Sequence, residues 1–323
     1  MSSSAKRQRT EDAPITRSEI WYQDGSVVLQ AQDTQFRVHF GVLAAQSAFF
    51  RDMQGLPQPP DQPTVEGCPV VEIQDDVSDV KHLLTAVYDP IFMVERAVPL
   101  PRIASLIRLG RKYDFKKLLD LAVERLTFEN PTTLAEYNAL KPNRLDDSYT
   151  TTRIVPYQGI LFDMLTLARE NNILTALPCA YYRALAIPRR AALFDGIPRG
   201  DGTVATLAQA DQRRCVLSYD ELNRAQFRKG YPFEWVAAWD FEEECKFPDR
   251  CTHARTRDWM KTAVLRNPEL LMLQNPKHSL FAGFCTQCRK RSVELTQEGQ
   301  KKAWDELPSF FSLPPWSELK NDL

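Results

Sequence analysis

The sequence lacks any long apolar run, and it carries almost no net charge. No stretch of its 323 residues approaches the ~20 consecutive apolar residues that a membrane-spanning helix needs. The first ten residues are charged and polar, without the apolar segment of a secretory signal. With 41 basic and 42 acidic residues the formal net charge is -1, so no overall field attracts nucleic acid or an anionic membrane surface. We therefore expect an intracellular protein, in the nucleus or the cytoplasm, that does not bind membranes.

Signatures of catalysis are missing as well. The chain contains no Gly-x-Ser-x-Gly, His-Glu-x-x-His or P-loop pattern. The Gly-x-Gly-x-x-Ala pattern at Gly200–Ala205 follows Ile-Pro-Arg and no strand, so no nucleotide-binding βαβ unit surrounds it. The sequence therefore predicts no enzyme, no catalytic residue and no organic cofactor.

The length and the apolar content predict two ordinary domains. Hydrophobic residues make up 43% of the chain, enough for two cores, and domains usually have roughly 100–200 residues. The seven cysteines are an odd number, which suits a reducing compartment. We predict a disordered tail at 1–16, an α/β domain at 17–130, a linker at 131–155 and a mainly α-helical domain at 156–323. The tail contains Lys6-Arg7-Gln8-Arg9, which fits either a nuclear import signal or a solvated tail.

Apolar spacing predicts the elements of the first domain. Segments that alternate apolar and polar residues, or that are apolar and β-branched, are expected to form strands. Segments with apolar residues three or four positions apart are expected to form helices. Asp75 or Asp76 is placed to cap the first helix after the third strand. The predicted order is a hairpin over 27–39, one helix over Val42–Met53, a strand at 70–73, a helix ending at Asp89-Pro90, and a helix pair over 103–126.

The second domain is predicted to be mainly helical. Helices are expected near 157–172, 180–185, 218–226, 232–244 and 255–273, with an irregular, Pro-, Gly- and Arg-rich segment at 188–212. The aromatic, Pro-rich tail at 304–319 is expected to fold back over this domain, since exposed tryptophans are costly.

Several stretches of the first domain resemble one family. The segment Phe36–Met53 looks like the pattern F-x-x-H-x-x-V-L-A-x-x-S-x-x-F-x-x-M, and Asp24, Val71–Asp76 and Leu83–Tyr88 match further positions in the same order. Together, residues 20–128 resemble a BTB (POZ) domain. The long Pro-rich loop at 55–69 and the second half of the chain look similar to fungal BTB proteins.

The resemblance implies a protein–protein interaction domain: a small sheet with a helical bundle, which self-associates as a homodimer or recruits a protein partner. It implies that His39 and Ser47 are structural. The first helix is rich in large apolar side chains, and part of this stripe would face a partner chain. The predicted interaction surface consists of Val42, Phe49, Phe50 and Met53.

Two uses follow from the resemblance, an adaptor for a cullin-type ubiquitin ligase and a transcription-linked scaffold. Family members that bind cullin often carry a hydrophobic-x-Glu element before the third strand. Here Thr64–Gly67 has the wrong spacing, and Val70-Val71-Glu72 lies in the predicted strand. We therefore expect weak or no cullin binding. Many members also have a basic residue after the signature histidine, where this chain has Phe40.

Two cysteine pairs in the second domain indicate a metal site: Cys285-x2-Cys288 has the spacing of a zinc knuckle, and Cys245-x5-Cys251 has a looser spacing. Cys245 and Cys251, with His253 close behind, precede the pair Cys285-x-x-Cys288. A Cys-x2-Cys pair lets two thiolates reach one tetrahedral zinc ion. We predict that the four cysteines bind one structural zinc ion, with His253 as an alternative ligand. Two other interpretations stay open: four unrelated buried thiols, and a redox pair, although no thioredoxin-like βαβ pattern flanks it.

A zinc-stapled second domain also suggests a rival function, direct binding of nucleic acid. Basic residues lie in that region, and acidic residues lie beside them. The basic ones are Arg250, Arg255, Arg257, Lys261 and Arg266, and the acidic ones are Glu242, Glu243, Glu244 and Asp249. The pattern shows no finger with helix-borne base readers, so nucleic acid is not the expected partner.

Overall fold

The computed structural model describes residues 14–56, 61–89, 91, 94–140, 149–186, 189–238, 245–256, 270, 272–274, 281 and 283–323. The chain forms two compact units, one ending at Arg125 and the other running from Leu126 to Asp322. Of the predicted tail, residues 1–13 lie outside the described residues, as do residues 141–148 of the predicted linker.

A five-stranded sheet organises the described part of the first unit, in the order β1-β3-β2-β5-β4. Its central strand is β2, whose residues Val27, Val28 and Leu29 are buried. The predicted hairpin is confirmed, because β2 and β3 pair antiparallel, while β2 pairs with β5 in parallel. The strands are β1 Thr16–Trp21, β2 Val27–Ala31, β3 Thr34–Val38, β4 Thr64–Val65 and β5 Cys68–Ile73. Strand β1 was not predicted.

Helices complete the first unit, and α5 crosses the boundary to the second. They are α1 Phe40–Gln46, α2 Ala48–Gln54, α3 Val77–Tyr88, α4 Leu100–Lys112 and α5 Lys116–Glu129. Asp76 caps α3, since its carboxylate accepts a hydrogen bond from the amide of Ser78 at 2.8 Å. This agrees with the prediction of a cap at Asp75 or Asp76.

The prediction of one helix over Val42–Met53 is wrong, because the helix breaks at Ser47. Ser47 has an extended backbone (φ -130°, ψ 125°) and is the N-cap of α2. Its hydroxyl accepts from the amide of Phe50 at 3.0 Å and donates to the carbonyl of Tyr113 at 2.5 Å. A serine side chain offers the backbone this alternative to a continuous helix.

The second unit is mainly helical, so the predicted fold class is confirmed. Its helices are α6 Leu134–Ala139, α7 Ile160–Glu170, α8 Leu177–Leu185, α9 Ala192–Asp195, α10 Gln209–Ala225, α11 Glu234–Ala237, α12 Pro248–His253, α13 Thr286–Asp305 and α14 Leu307–Phe310. A small hairpin joins β6 Ile197–Pro198 to β7 Val204–Ala205. The Gly200–Ala205 pattern does follow a strand, the two-residue β6, contrary to the expectation, but it belongs to this hairpin and starts no helix.

Two parts of the second unit bear on the prediction of its elements. The predicted helix at 255–273 falls mostly outside the described residues, whereas the 20-residue helix α13 was not predicted.

The tail folds back onto the second unit as expected. The ring of Phe311 stacks on that of Tyr181 with centroids 5.2 Å apart, and the hydroxyl of Ser218 donates a hydrogen bond to the carbonyl of Phe310 at 2.7 Å. Within the described ranges, no helix has the length and apolar content needed to cross a bilayer.

Candidate metal centre and interaction surface

Two helices and the chain before them bring the four predicted cysteines together. Cys245 lies ahead of α12, Cys251 lies in α12, and Cys285 is the N-cap of α13. Cys288 follows in the first turn of α13. The four sulfur atoms all lie within 4.8 Å of one another, and those of Cys245 and Cys285 are 4.0 Å apart.

The distances suit one metal ion. In a tetrahedral site with Zn–S bonds of about 2.3 Å, neighbouring sulfurs lie ~3.8 Å apart. The sulfurs would therefore have to move by about 1 Å or less to enclose an ion. The cluster is close enough to hold a metal, and its four thiols match the soft ligands that zinc accepts.

Backbone amides point at two of the sulfurs. The amide of Cys285 donates to the sulfur of Cys251 at 3.2 Å, and the amide of Cys288 approaches the sulfur of Cys285 at 3.5 Å. The second contact belongs to the N-terminus of α13, where the helix dipole favours negative charge. Burial acts to raise the pKa of Cys285, but hydrogen bonds from the amides of Cys288 and Lys246 and with the thiols of Cys288 and Cys251 lower it to about 6. Burial raises the pKa of Cys251. The start of α13 thus stabilises a thiolate, the form that binds metals.

An apolar shell surrounds the cluster. Cys251, Cys285 and Cys288 are at most 5% exposed, whereas Cys245 is partly exposed. The shell is formed by Phe233, Trp235, Val236, Ala254, Phe281 and Phe284. The indole of Trp235 donates to the hydroxyl of Thr296 at 3.0 Å, which ties the shell to α13.

The alternative ligand His253 is placed differently from the four cysteines. Its side chain is exposed, and it is not a member of the ligand group found among the described residues. Of the basic residues behind the nucleic-acid alternative, Arg250 lies 4.7 Å from the ring of Phe247. Arg255 donates to the carbonyl of Val236 at 3.0 Å. Arg257, Lys261 and Arg266 lie outside the described residues, as do Glu242, Glu243 and Glu244.

The predicted interaction surface lies on α1 and α2. Phe49 is 45% exposed, although its ring also contacts that of Tyr113 at 5.1 Å. Val42 and Met53 are partly exposed. Phe50 is only 2% exposed and packs inside the unit, so its side chain lies beneath this surface and does not face a partner. Phe49 is the member that presents the most apolar area to a partner.

His39 has a structural environment. Its Nε2 lies 3.1 Å from a carboxylate oxygen of Asp24, and its backbone amide donates to the hydroxyl of Tyr88 at 2.8 Å. A backbone hydrogen bond is the largest cause that lowers the pKa of Asp24, and the hydrogen bond from the side chain of His39 is the second. In this chain Asp24 therefore pairs with the signature histidine, while position 40, which is basic in many members, is Phe40.

The two stretches that most resemble a cullin-binding element, Thr64–Gly67 and Val70–Glu72, take part in ion pairs or a strand of the domain. The carboxylate of Glu66 forms ion pairs with Arg17 at 2.7 Å and with Arg37 at 2.8 Å. Val70, Val71 and Glu72 lie within β5, as predicted. Neither stretch presents a free loop with the hydrophobic-x-Glu spacing.

Comparison with known families agrees with the fold of the first unit. The family model of the BTB/POZ domain matches residues 23–129. This chain therefore carries a BTB/POZ domain, a protein–protein interaction module, at those residues. No curated protein matches the chain at a significant level. The similarity of the second half to fungal proteins stays a prediction.

Proposed function

We propose that this protein acts by binding other proteins through its BTB/POZ domain, and that this domain also joins two copies of the chain. The match over residues 23–129 carries the proposal. The exposed ring of Phe49 supports self-association, because burying apolar area contributes about 25 cal/mol per Å². Use as a ligase adaptor or as a transcription-linked scaffold would follow from the partner that the domain recruits.

Sedimentation of the full chain at micromolar concentration tests self-association. We expect a dimer for the parent and a monomer for Phe49→Lys, since a lysine in a buried interface leaves an unpaired charge. Leu121→Lys is the matched control, because Leu121 is 47% exposed and lies on α5. A parent that sediments as a monomer, or two variants that behave alike, would contradict dimerisation through this surface.

The second part of the proposal concerns the metal. Cys245, Cys251, Cys285 and Cys288 are proposed to bind one structural zinc ion. Four protein ligands leave no position for water, so the ion would be structural and not catalytic. The apolar shell around the cluster is small, and metal binding would add folding free energy to this region.

Elemental analysis of protein produced with zinc tests the site. We expect about one zinc per chain, and none in the double variant Cys285→Ser/Cys288→Ser. The control is Cys215→Ser, which also exchanges a fully buried thiol for a hydroxyl but lies outside the cluster. Zinc-free parent protein together with an unchanged melting temperature in the double variant would identify the four as ordinary buried thiols.

A further inference from the structure

The four cysteines differ in their access to solvent. Cys245 is partly exposed, while the other three are buried. It lies outside helices and strands, ahead of α12. Reaction of a cysteine with an oxidant depends on thiolate character and exposure. By exposure, Cys245 is therefore the cysteine of the four that is most open to an oxidant from solvent.

The sulfur of Cys285 is one of three within reach of Cys245, since all four lie within 4.8 Å of one another. It lies 4.0 Å from the sulfur of Cys245, and a disulfide needs about 2.05 Å. The chain must therefore close a gap of ~2 Å, and Cys245 is the end outside regular structure. Cys285 is held at the start of α13, where the amide of Cys288 points at its sulfur.

We propose that Cys245 and Cys285 form a peroxide-sensitive pair whose oxidation to a disulfide releases the metal ion. This inference rests on the proposed metal site. The sulfur of Cys245 attacks the peroxide, the O–O bond breaks, and one water leaves, so Cys245 becomes a sulfenic acid. The sulfur of Cys285 then attacks that of Cys245, the S–O bond breaks, and a second water leaves. The two metal-bound thiolates lose two electrons, and hydrogen peroxide takes up these electrons and two protons from solvent to give two waters.

Release of the metal follows from the loss of ligands. A disulfide removes two of the four thiolates, so only Cys251 and Cys288 remain. Two ligands do not complete the tetrahedral set that a structural zinc ion requires. The folding free energy supplied by the metal would be lost with it, which would loosen α12 and the start of α13 around Trp235.

The test uses zinc-loaded full-length protein and hydrogen peroxide. Released zinc is measured with a zinc-sensitive dye, and the disulfide is mapped by mass spectrometry of unreduced peptides. We expect one zinc released per Cys245–Cys285 disulfide, and recovery when a dithiol reductant and zinc are added. Cys215→Ser should respond like the parent.

A variant that keeps a metal ligand at position 245 but cannot form the disulfide separates the two roles proposed for Cys245. Cys245→His keeps a nitrogen ligand that suits zinc but forms no disulfide, so we expect release at least about tenfold slower than in the parent. Parent protein that never contains zinc would overturn the metal site itself. Parent protein that contains zinc but keeps it under peroxide, or whose disulfide joins another pair, would overturn the redox pair alone.

Discussion

The backbone amide of Cys285 donates a hydrogen bond to the sulfur of Cys251, a residue 34 positions earlier, at 3.2 Å. This contact links Cys251 of α12 to the start of α13, and all four cysteine sulfurs lie within 4.8 Å of one another. If one metal ion binds the sulfurs of both cysteine pairs, that ion holds α12 and α13 together.

A chelator should therefore act on one region of the chain. We expect removal of zinc to speed amide hydrogen exchange in α12 and α13 and in the tail up to residue 323, because their local stability depends on the ion. The amides of β2 in the BTB/POZ domain should exchange as before. Equal acceleration in both regions, or in neither, would argue against a local structural ion.

The cap of α3 offers a stability test in the BTB/POZ domain. The carboxylate of Asp76 accepts from the amide of Ser78, so Asp76→Ala should lower the free energy of unfolding by about 1 kcal/mol. Asp76→Asn should lose less, since an amide oxygen also caps. Hydrogen bonds from Ser78 lower the pKa of Asp76. Its contribution is therefore present above the pKa of an unfolded aspartate and is lost as the pH falls through the lowered value.

Chemical unfolding at two pH values checks this cap. The difference between the parent and Asp76→Ala should be largest near neutral pH and should shrink in acid. A difference that grows in acid would show that Asp76 acts otherwise than as a charged cap.

Two helical glycines should respond oppositely to alanine. A Cβ on Gly299 of α13 would lie 2.3 Å from the backbone nitrogen of Pro232, so Gly299→Ala forces two segments apart. A Cβ on Gly41 of α1 meets nothing within 4 Å, and alanine favours a helix by up to about 1 kcal/mol. Thermal unfolding should show a lower melting temperature for Gly299→Ala and an equal or higher one for Gly41→Ala. Similar shifts for both would contradict the close approach of α13 to Pro232.

Cullin binding should be weak or absent. The carboxylate of Glu66 is held by Arg17 and Arg37, and Glu72 belongs to β5. Calorimetry with a purified cullin N-terminal region should give no saturable heat at micromolar concentrations. Tight binding would mean that the domain recruits cullin without the hydrophobic-x-Glu element.

The sequence predicts the first unit better than the second, for identifiable reasons. Strand β2 is mostly apolar, and β3 alternates apolar and polar residues from Phe36 to Val38, which periodicity detects. Helix α13 escaped detection because several of its buried positions carry small or polar side chains, among them Ser292, Thr296, Gly299 and Gln300. Apolar spacing cannot reveal such a face.

The candidate metal site also has one part that the sequence predicts and one part that it does not. The Cys-x2-Cys pair predicts its own proximity, because a helix start holds both sulfurs near one point. The closeness of Cys245 and Cys251 to that pair depends on tertiary folding, which the looser spacing does not encode. The break at Ser47 was missed because its second partner, the carbonyl of Tyr113, is 66 positions away. Ser47→Ala would remove both bonds.

X-ray absorption at the zinc edge, on full-length protein produced with zinc, tests most directly whether the four cysteines form one metal centre. We predict a first shell of four sulfur atoms at about 2.3 Å. Absence of zinc, or a shell that contains nitrogen or oxygen in place of sulfur, would contradict the proposed site.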